Sequence, residues 1–457
     1  MAINRLLIAN RGEIAVRIIR AAKALGITTI QVFSEADKDM LAVRLADEAI
    51  CIGAPHARDS YLNIDKVIAA AVKKSADAVH PGYGFLAESA DFARAVIKVG
   101  MTFVGPSADT IQQMGDKVSA RAIARAAGVP IVPGSVGRID SVDDAARVAA
   151  EIGYPVMIKA AAGGGGRGIR IAQNEDDLRA MAPQAKAEAE AAFGDGGLYL
   201  ERSIRAPRHI EVQIMGDGTD AVHFFERECS LQRRRQKVWE EAGATCLDEA
   251  TRQHLCQTAV ALAEAVQYCG AGTVEYLYDE ASKDFYFIEM NTRIQVEHPV
   301  SEMTTGIDLV QEMLCIAGGQ PLSVAQSDIS KTGHAIEVRI NAEDPHMQFM
   351  PFPGVVTGLI VPSGKGVRFD HFLYPGYAIP PFYDSLIGKL IVHGQDRQDA
   401  IARLVHALEA LQIDGLKTTI PLHLALTRDP DVLAGNFHTQ WLEPWLDAGN
   451  LTKGEVP

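Results

Sequence analysis

The sequence predicts an α/β chain of about three units, and three observations carry that prediction. The chain opens with a βαβ-like pattern, Leu6-Leu-Ile-Ala9 followed by Asn10-Arg-Gly-Glu13 and an amphipathic segment. Further on, Val156-Met-Ile-Lys159 leads through four consecutive glycines to Ile169-Arg-Ile171, a strand–loop–strand arrangement. Beyond residue 330 the pattern changes to short apolar runs broken by Pro and Gly, as in Pro351-Phe-Pro-Gly354 and Tyr374-Pro-Gly376, which suits antiparallel strands or a small barrel.

In the first unit, Ile14, Ile18, Ala22 and Leu25 recur near helical spacing, and Gly26 is placed to cap that helix. Thr28 to Phe33 reads as the next strand and Ala76 to His80 as the end of another. The glycine-bearing turn after it, Pro81-Gly-Tyr-Gly-Phe85, falls where open α/β sheets place ligands. No Gly-x-Gly-x-x-Gly fingerprint accompanies it, which argues against a nicotinamide cofactor. In the second unit, the glycine run lets backbone amides approach phosphate oxygens, with Lys159 and Arg167 bringing positive charge. A Walker loop would need Gly-Lys-Ser/Thr entering a helix, and that is missing. The Ala- and Glu-rich stretch from Glu175 to Phe193 predicts a mostly solvated helix. In the third unit, Ala335 to Asn341 alternates, with Glu337, Arg339 and Asn341 on one face, and an Ala/Leu-rich helix follows near 399–411.

The net charge of −14 disfavours a nucleic-acid partner, because such binding rests on basic surface. Six dispersed cysteines without a Cys-x-x-Cys pair fit reduced thiols, not a disulfide framework or zinc site. No apolar stretch reaches membrane-spanning length and the N-terminal run is short for a signal peptide, so a cytoplasmic enzyme is expected.

The most informative segment is Glu289-Met-Asn-Thr-Arg-Ile-Gln-Val-Glu297. In an extended chain, a period of two puts Glu289, Asn291, Arg293, Gln295 and Glu297 on one face. A strand over Thr273 to Tyr278 and another over Phe285 to Ile288, joined by a polar turn, predict a hairpin with Glu275 opposite Glu289. Opposed buried carboxylates repel unless a cation lies between them. Two carboxylates with the Asn291 amide oxygen are hard ligands suited to Mg²⁺ and a phosphate. Gln232-Arg-Arg-Arg-Gln-Lys237 is the one concentrated basic run; embedded between strand-like segments, it predicts a pocket for phosphate or bicarbonate.

These segments, with Asn10-Arg-Gly-Glu-Ile14, Gly115-Asp-Lys117 and Arg339-Ile-Asn-Ala-Glu-Asp-Pro345, occur in an order that resembles biotin carboxylase, the ATP-grasp component of biotin-dependent carboxylases such as acetyl-CoA carboxylase of fatty acid biosynthesis. The resemblance spans nearly the whole chain. It implies a Rossmann-like N-terminal domain over 1–114, an ATP-grasp domain over 115–330 with a glycine-loop lid at about 131–203, and a β-rich, barrel-like C-terminal domain over 331–447. It implies ATP and bicarbonate as substrates and two Mg²⁺ or Mn²⁺ ions. Biotin would arrive on a separate carrier protein, because no Met-Lys-Met segment is present. A carboxyltransferase subunit and a homodimer are further implied partners.

Position by position, the resemblance gives nucleotide contacts to Lys117, Lys159, Gly165, Gly166, Glu201, Arg202, Ser203, Ile204, His209, Gln232 and Arg235. Metal ligation falls to Glu275, Glu289 and Asn291, and bicarbonate binding to Lys237, Arg293, Gln295 and the Val296 backbone. Glu297 would be the general base and Arg339 would hold the biotin ureido oxygen. Two positions depart from the family: Arg235, where His or Asn is usual, and Gly243, where Pro is usual. The competing readings are another acyl-phosphate-forming ATP-grasp ligase and a non-catalytic nucleotide-binding subunit. Arg339 and the His80 loop favour the biotin enzyme over the first, and the complete set of metal and bicarbonate residues favours it over the second.

Overall fold

Leu6, Leu7 and Ile8 have no solvent exposure, which is why the first strand reads as an unbroken apolar run. It is the centre of a parallel sheet of order β3-β2-β1-β4-β5, made of β1 (Arg5–Ile8), β2 (Thr28–Ser34), β3 (Glu48–Gly53), β4 (Ala78–His80) and β5 (Thr102–Phe103). The first helix, α1 (Gly12–Ala24), buries Ile14, Ile18 and Ala22 as expected. Leu25 lies just past its end and is exposed, while Gly26, at φ +73°, takes the left-handed capping position. The computed structural model describes residues 3–135, 137–139, 141–160, 170–193 and 196–451.

In the middle of the chain, β6 (Val156–Ala160) pairs antiparallel with β7 (Arg170–Ala172) and with β8 (Leu198–Arg202). The predicted strands flanking the glycine loop are therefore present; Gly165, Gly166 and Arg167 lie outside the described residues. The helix Glu175–Phe193 is mostly solvated but buries Leu178, Ala182 and Ala185 against β6 and β8.

The large sheet carries the site. Its order is β13-β12-β9-β10-β11-β14-β19-β18, all antiparallel. Its strands are β9 (Arg208–Asp217), β10 (Ala221–Arg233), β11 (Gln236–Ala242), β12 (Cys269–Asp279), β13 (Asp284–Asn291), β14 (His334–Asn341), β18 (Val367–His371) and β19 (Leu386–Gly394). Two short pairs, β15 (Glu343–Asp344) with β16 (Met350–Pro351) and β17 (Gly358–Ile360) with β20 (Gln412–Asp414), decorate it. The antiparallel strands expected beyond residue 330 thus continue the sheet of the middle region, through the β11–β14 ladder.

The N-terminal unit is wedged against those strands. Ile14 and Ile18 share a core with Leu309, Phe372 and Leu390. Arg17 Nη2 lies 2.7 Å from Glu302 Oε1, and Lys389 Nζ lies 3.1 Å from Glu13 Oε1. All six cysteines are free thiols, and among the described residues no helix is long and apolar enough to cross a membrane.

Candidate active site

The β12–β13 register sets Glu275 directly opposite Glu289, as the spacing predicts. Glu275 is buried and Glu289 half-buried. Burial would raise the Glu275 pKa, but Lys237 and His209 outweigh it and hold that carboxylate well below its usual range. Glu289 shifts the other way, because burial and the facing Glu275 both raise its pKa and Lys117 compensates only in part. One carboxylate is saturated with partners and its neighbour is short of positive charge. That imbalance is what a divalent cation between them would relieve, so the donor set fits the expected metal. Asn291 Nδ2 donates to Glu275 Oε1 at 2.9 Å.

The extended run stops at Asn291, earlier than the period of two implies. The chain bends through residues 292–297 because the helix His298–Thr305, with Pro299 in its first turn, begins there. The polar side chains nevertheless converge. Arg293 donates to Asn291 Oδ1, Gln295 Oε1 and Glu88 Oε2, each at 3.0 Å. Gln295 Nε2 donates to Glu275 Oε1 at 3.1 Å, and Lys389 Nζ pins the Val296 carbonyl at 2.7 Å.

Lys237 is the hub. Its ammonium donates to Glu211 Oε2 at 2.5 Å, Glu297 Oε1 at 2.7 Å and Glu275 Oε1 at 2.9 Å. Burial lowers its pKa, but the three carboxylates reverse this and raise it well above the ordinary value. Glu297 is fully buried, yet Lys237 and Arg339 hold its carboxyl below the usual range. Arg339 bridges two acids, with Nε 2.6 Å from Glu240 Oε1 and Nη2 3.0 Å from Glu297 Oε2. Buried His209 carries charge: its Nε2 lies 3.2 Å from Glu275, and although burial opposes protonation, Glu275 raises its pKa to about 9.

The basic run is a hairpin tip. Gln232 pairs with Lys237 and Arg233 with Gln236, leaving Arg234 and Arg235 as a two-residue turn at φ +48° and +66°. The run is therefore split by the fold. Buried Gln232 donates to the Cys229 carbonyl at 2.9 Å, Arg233 lies over the Phe349 ring at 3.8 Å, and Arg234 and Arg235 are exposed. At Gly243 the backbone has φ +105°, which the usual family proline cannot adopt.

Many of these groups line one cavity of about 1320 Å³, bounded by Tyr83, His209, Gln232, Arg235, Lys237, Glu275, Glu289, Asn291, Arg293, Gln295, Val296 and Arg339 among others, while the fully buried Glu211, Glu240 and Glu297 do not reach its wall. Lys117, Lys159 and Glu201 to Ile204 do not border it. Lys117 begins the helix Lys117–Ala126, and its charge reaches Glu289. The Lys159 ammonium is paired with the Glu201 carboxylate, which also accepts from Arg121 Nη1 at 2.7 Å. Arg202 ends β8, Ser203 N donates to the Pro155 carbonyl at 2.8 Å, and Ile204 follows in a loop.

Sequence reasoning missed Glu211, Glu240 and Glu88. Glu211 was open to discovery, because His209-Ile-Glu-Val-Gln213 alternates and its polar members share a face of β9. Glu240 was not. Leu231 pairs with Trp239 but Gln232 with Lys237, so Val238 is an extra residue in β11. This bulge turns Lys237 and Glu240 to the same side, while Glu241 goes to the other face with His334 and Arg397.

Comparison with known proteins agrees along the whole chain. Residues 2–111 match the family described as biotin carboxylase, N-terminal domain, and residues 337–444 the biotin carboxylase C-terminal domain. Residues 116–325 match the carbamoyl-phosphate synthase L chain, ATP binding domain. Biotin carboxylase 1 of Bacillus subtilis (strain 168) is 52% identical over 97% of this chain and 99% of its own length. A biotin carboxylase–β,γ-ATP complex from Campylobacter jejuni is 49% identical, with a TM-score of 0.89 over 97% of this chain and 99% of that one. The Hydrogenobacter thermophilus 2-oxoglutarate carboxylase biotin carboxylase domain dimer, in complex with MgADP, ADP and bicarbonate, is 46% identical with a TM-score of 0.88, both chains being covered in full.

Proposed function

Because the chain belongs to the biotin carboxylase family, we propose that it carboxylates biotin on a separate carrier protein, using ATP and bicarbonate by way of carboxyphosphate. One observation carries the residue assignments: Lys237 and Arg339, both paired to the buried Glu297, border the same cavity as the opposed Glu275 and Glu289. We divide the chain into functional segments 1–114, 115–330 and 331–447.

Glu275, Glu289 and Asn291 would hold magnesium, which when bound neutralises the triphosphate. Lys117, Lys159, Glu201, His209, Gln232 and Arg235 would contact the nucleotide. Lys237, Arg293, Gln295 and the backbone at Val296 would seat bicarbonate. Glu297, held ionised by Lys237 and Arg339, accepts the bicarbonate proton; a positioned base contributes about 10²–10⁴-fold. The deprotonated oxygen takes the γ-phosphoryl group, and the resulting carboxyphosphate breaks down to CO₂ and phosphate. That phosphate removes the ureido N–H proton while Arg339 stabilises the developing negative oxygen by a charge-assisted hydrogen bond. The carboxyl acceptor after biotin is handled by a partner carboxyltransferase, and the relative captured as a dimer suggests the same assembly here.

The test is phosphate release with bicarbonate, with and without biotin, for Glu297→Gln and Arg339→Ala. Glu297→Gln should lower both ATP cleavage and biotin carboxylation by about 10²–10⁴-fold. Arg339→Ala should cripple carboxylation and spare much of the biotin-independent cleavage. Equal loss of ATP cleavage in two variants that still bind nucleotide would refute the Arg339 assignment. A wild-type chain whose ATP cleavage ignores bicarbonate would refute the function.

A further inference from the structure

Glu240 and Glu337 are direct partners across the β11–β14 ladder, and neither has any solvent exposure. Glu240 Oε1 accepts from Arg339 Nε, but Glu240 Oε2 and both oxygens of Glu337 have no hydrogen-bond partner. The charged groups around them are Lys237 on β11, Arg339 on β14, Glu297 before its helix, and Lys389 on β19 with Glu13 and Asp370 behind it. Lys389 is the cation that acts most strongly on Glu337, yet its ammonium is committed to the Val296 carbonyl and Glu13. Two ionised carboxylates facing each other in a dry ladder are destabilising, and a single proton between them removes the repulsion. Burial pushes Glu337 well above the usual carboxyl range, and burial, opposed by Arg339, pushes Glu240 up to about 7.

We propose that Glu240 is a positioning residue for Arg339, and that it is backed by one proton shared with Glu337. The inference rests on the function proposed above. Arg339 is held at both ends, by Glu240 through Nε and by Glu297 through Nη2. When Glu297 takes the bicarbonate proton, it loses its charge and the Nη2 contact loses its ionic part. Glu240 still holds Nε, so the guanidinium stays aimed while biotin reacts. The shared proton sits on the Glu337 side, which leaves Glu240 anionic toward Arg339 and gives its orphaned Oε2 a donor. No proton leaves the pair during turnover.

The experiment uses the full chain and its biotin-independent and biotin-dependent assays side by side. Glu240→Gln keeps the shape and an acceptor oxygen but removes the charge. Biotin carboxylation should fall by about 10- to 100-fold, the scale of a catalytic group displaced by an ångström. Bicarbonate-dependent ATP cleavage without biotin should fall at least about tenfold less. Added to Arg339→Ala, Glu240→Gln should cost nothing further. Equal losses in the two assays, or a full extra loss on the Arg339→Ala background, would overturn the positioning role. Should Glu240→Gln fail to fold, Glu240→Asp, which withdraws the charge by one methylene, gives the same comparison. The proton is read separately: the infrared carbonyl band of buried protonated carboxyl groups should lose intensity in Glu337→Gln, and an unchanged band would overturn the shared proton. A wild type without bicarbonate-dependent cleavage would refute the parent reading instead.

Discussion

At the residue scale, the site is a set of buried charges that stabilise each other only in company. Lys237 is the cation common to Glu211, Glu275 and Glu297, so removing it leaves three buried carboxylates with only Arg227, His209 and Arg339 as their remaining cationic partners. Lys237→Met should destabilise the fold by about 3–5 kcal/mol, the cost of breaking a buried pair from one side. Urea unfolding at neutral pH measures this, and a loss below about 1 kcal/mol, the scale of an exposed pair, would mean the acids are compensated elsewhere. His80 shows the opposite behaviour. Fully buried at the end of β4, it is held neutral by desolvation and by the Arg17 charge, with its pKa lowered from 6.5 to about 3. Between those values the unfolded chain binds a proton that the folded chain refuses, so this residue's contribution falls as pH drops below 6.5. At about pH 5 the deficit is about 2 kcal/mol. Wild type should therefore lose about that much more stability than His80→Gln between neutral pH and about pH 5; parallel losses would show that His80 is not the titrating group.

At the element scale, the hairpin tip between β10 and β11 holds two arginines in the left-handed region that Asn and Gly favour. Strain kept in a turn that borders the cavity points to a use for the side chain. Arg235→Gly should raise stability by about 0.5–1 kcal/mol, since glycine adopts this φ without strain. It should at the same time raise the KM for ATP with kcat little changed, if the guanidinium stacks on or hydrogen-bonds the nucleotide. Thermal unfolding and ATP titration of one variant read both effects, and an unaltered KM would remove Arg235 from the nucleotide contacts. The bulge at Val238 is the other local device. It lets a single strand carry Lys237 and Glu240 on one face, toward Glu297 and Arg339, and Glu241 on the opposite face.

At the scale of the whole molecule, the large sheet makes the middle and last thirds of the chain mutually dependent. β11 is covered by β14, so a chain ending at residue 330 would leave β11 as a long bare edge and delete Arg339. The 1–330 fragment should aggregate or unfold without a cooperative transition, whereas the full chain should not. A soluble fragment with a sharp urea transition would show that the middle region closes its own core. The wedge of α1 against β18 and β19 adds to this dependence, because Lys389 reaches both Glu13 and the Val296 carbonyl.

By itself the sequence determined whatever depends on local periodicity. The opposition of Glu275 and Glu289, the buried first strand and the strands around the glycine loop were legible there, since local periodicity assigns side chains to faces; Arg293 and Gln295 converge through the bend after Asn291, which a period of two does not foresee. The tertiary structure decided what depends on register and on contacts between distant segments. One extra residue at Val238 turns Lys237 to the face of Glu240, the β11–β14 ladder sets Glu240 opposite Glu337 and within reach of Arg339, and Lys389 arrives from 93 positions away to pin Val296. Faces can be read from alternation; a bulge inverts the alternation beyond it, and nothing in the composition of Val238-Trp-Glu-Glu241 marks where that happens.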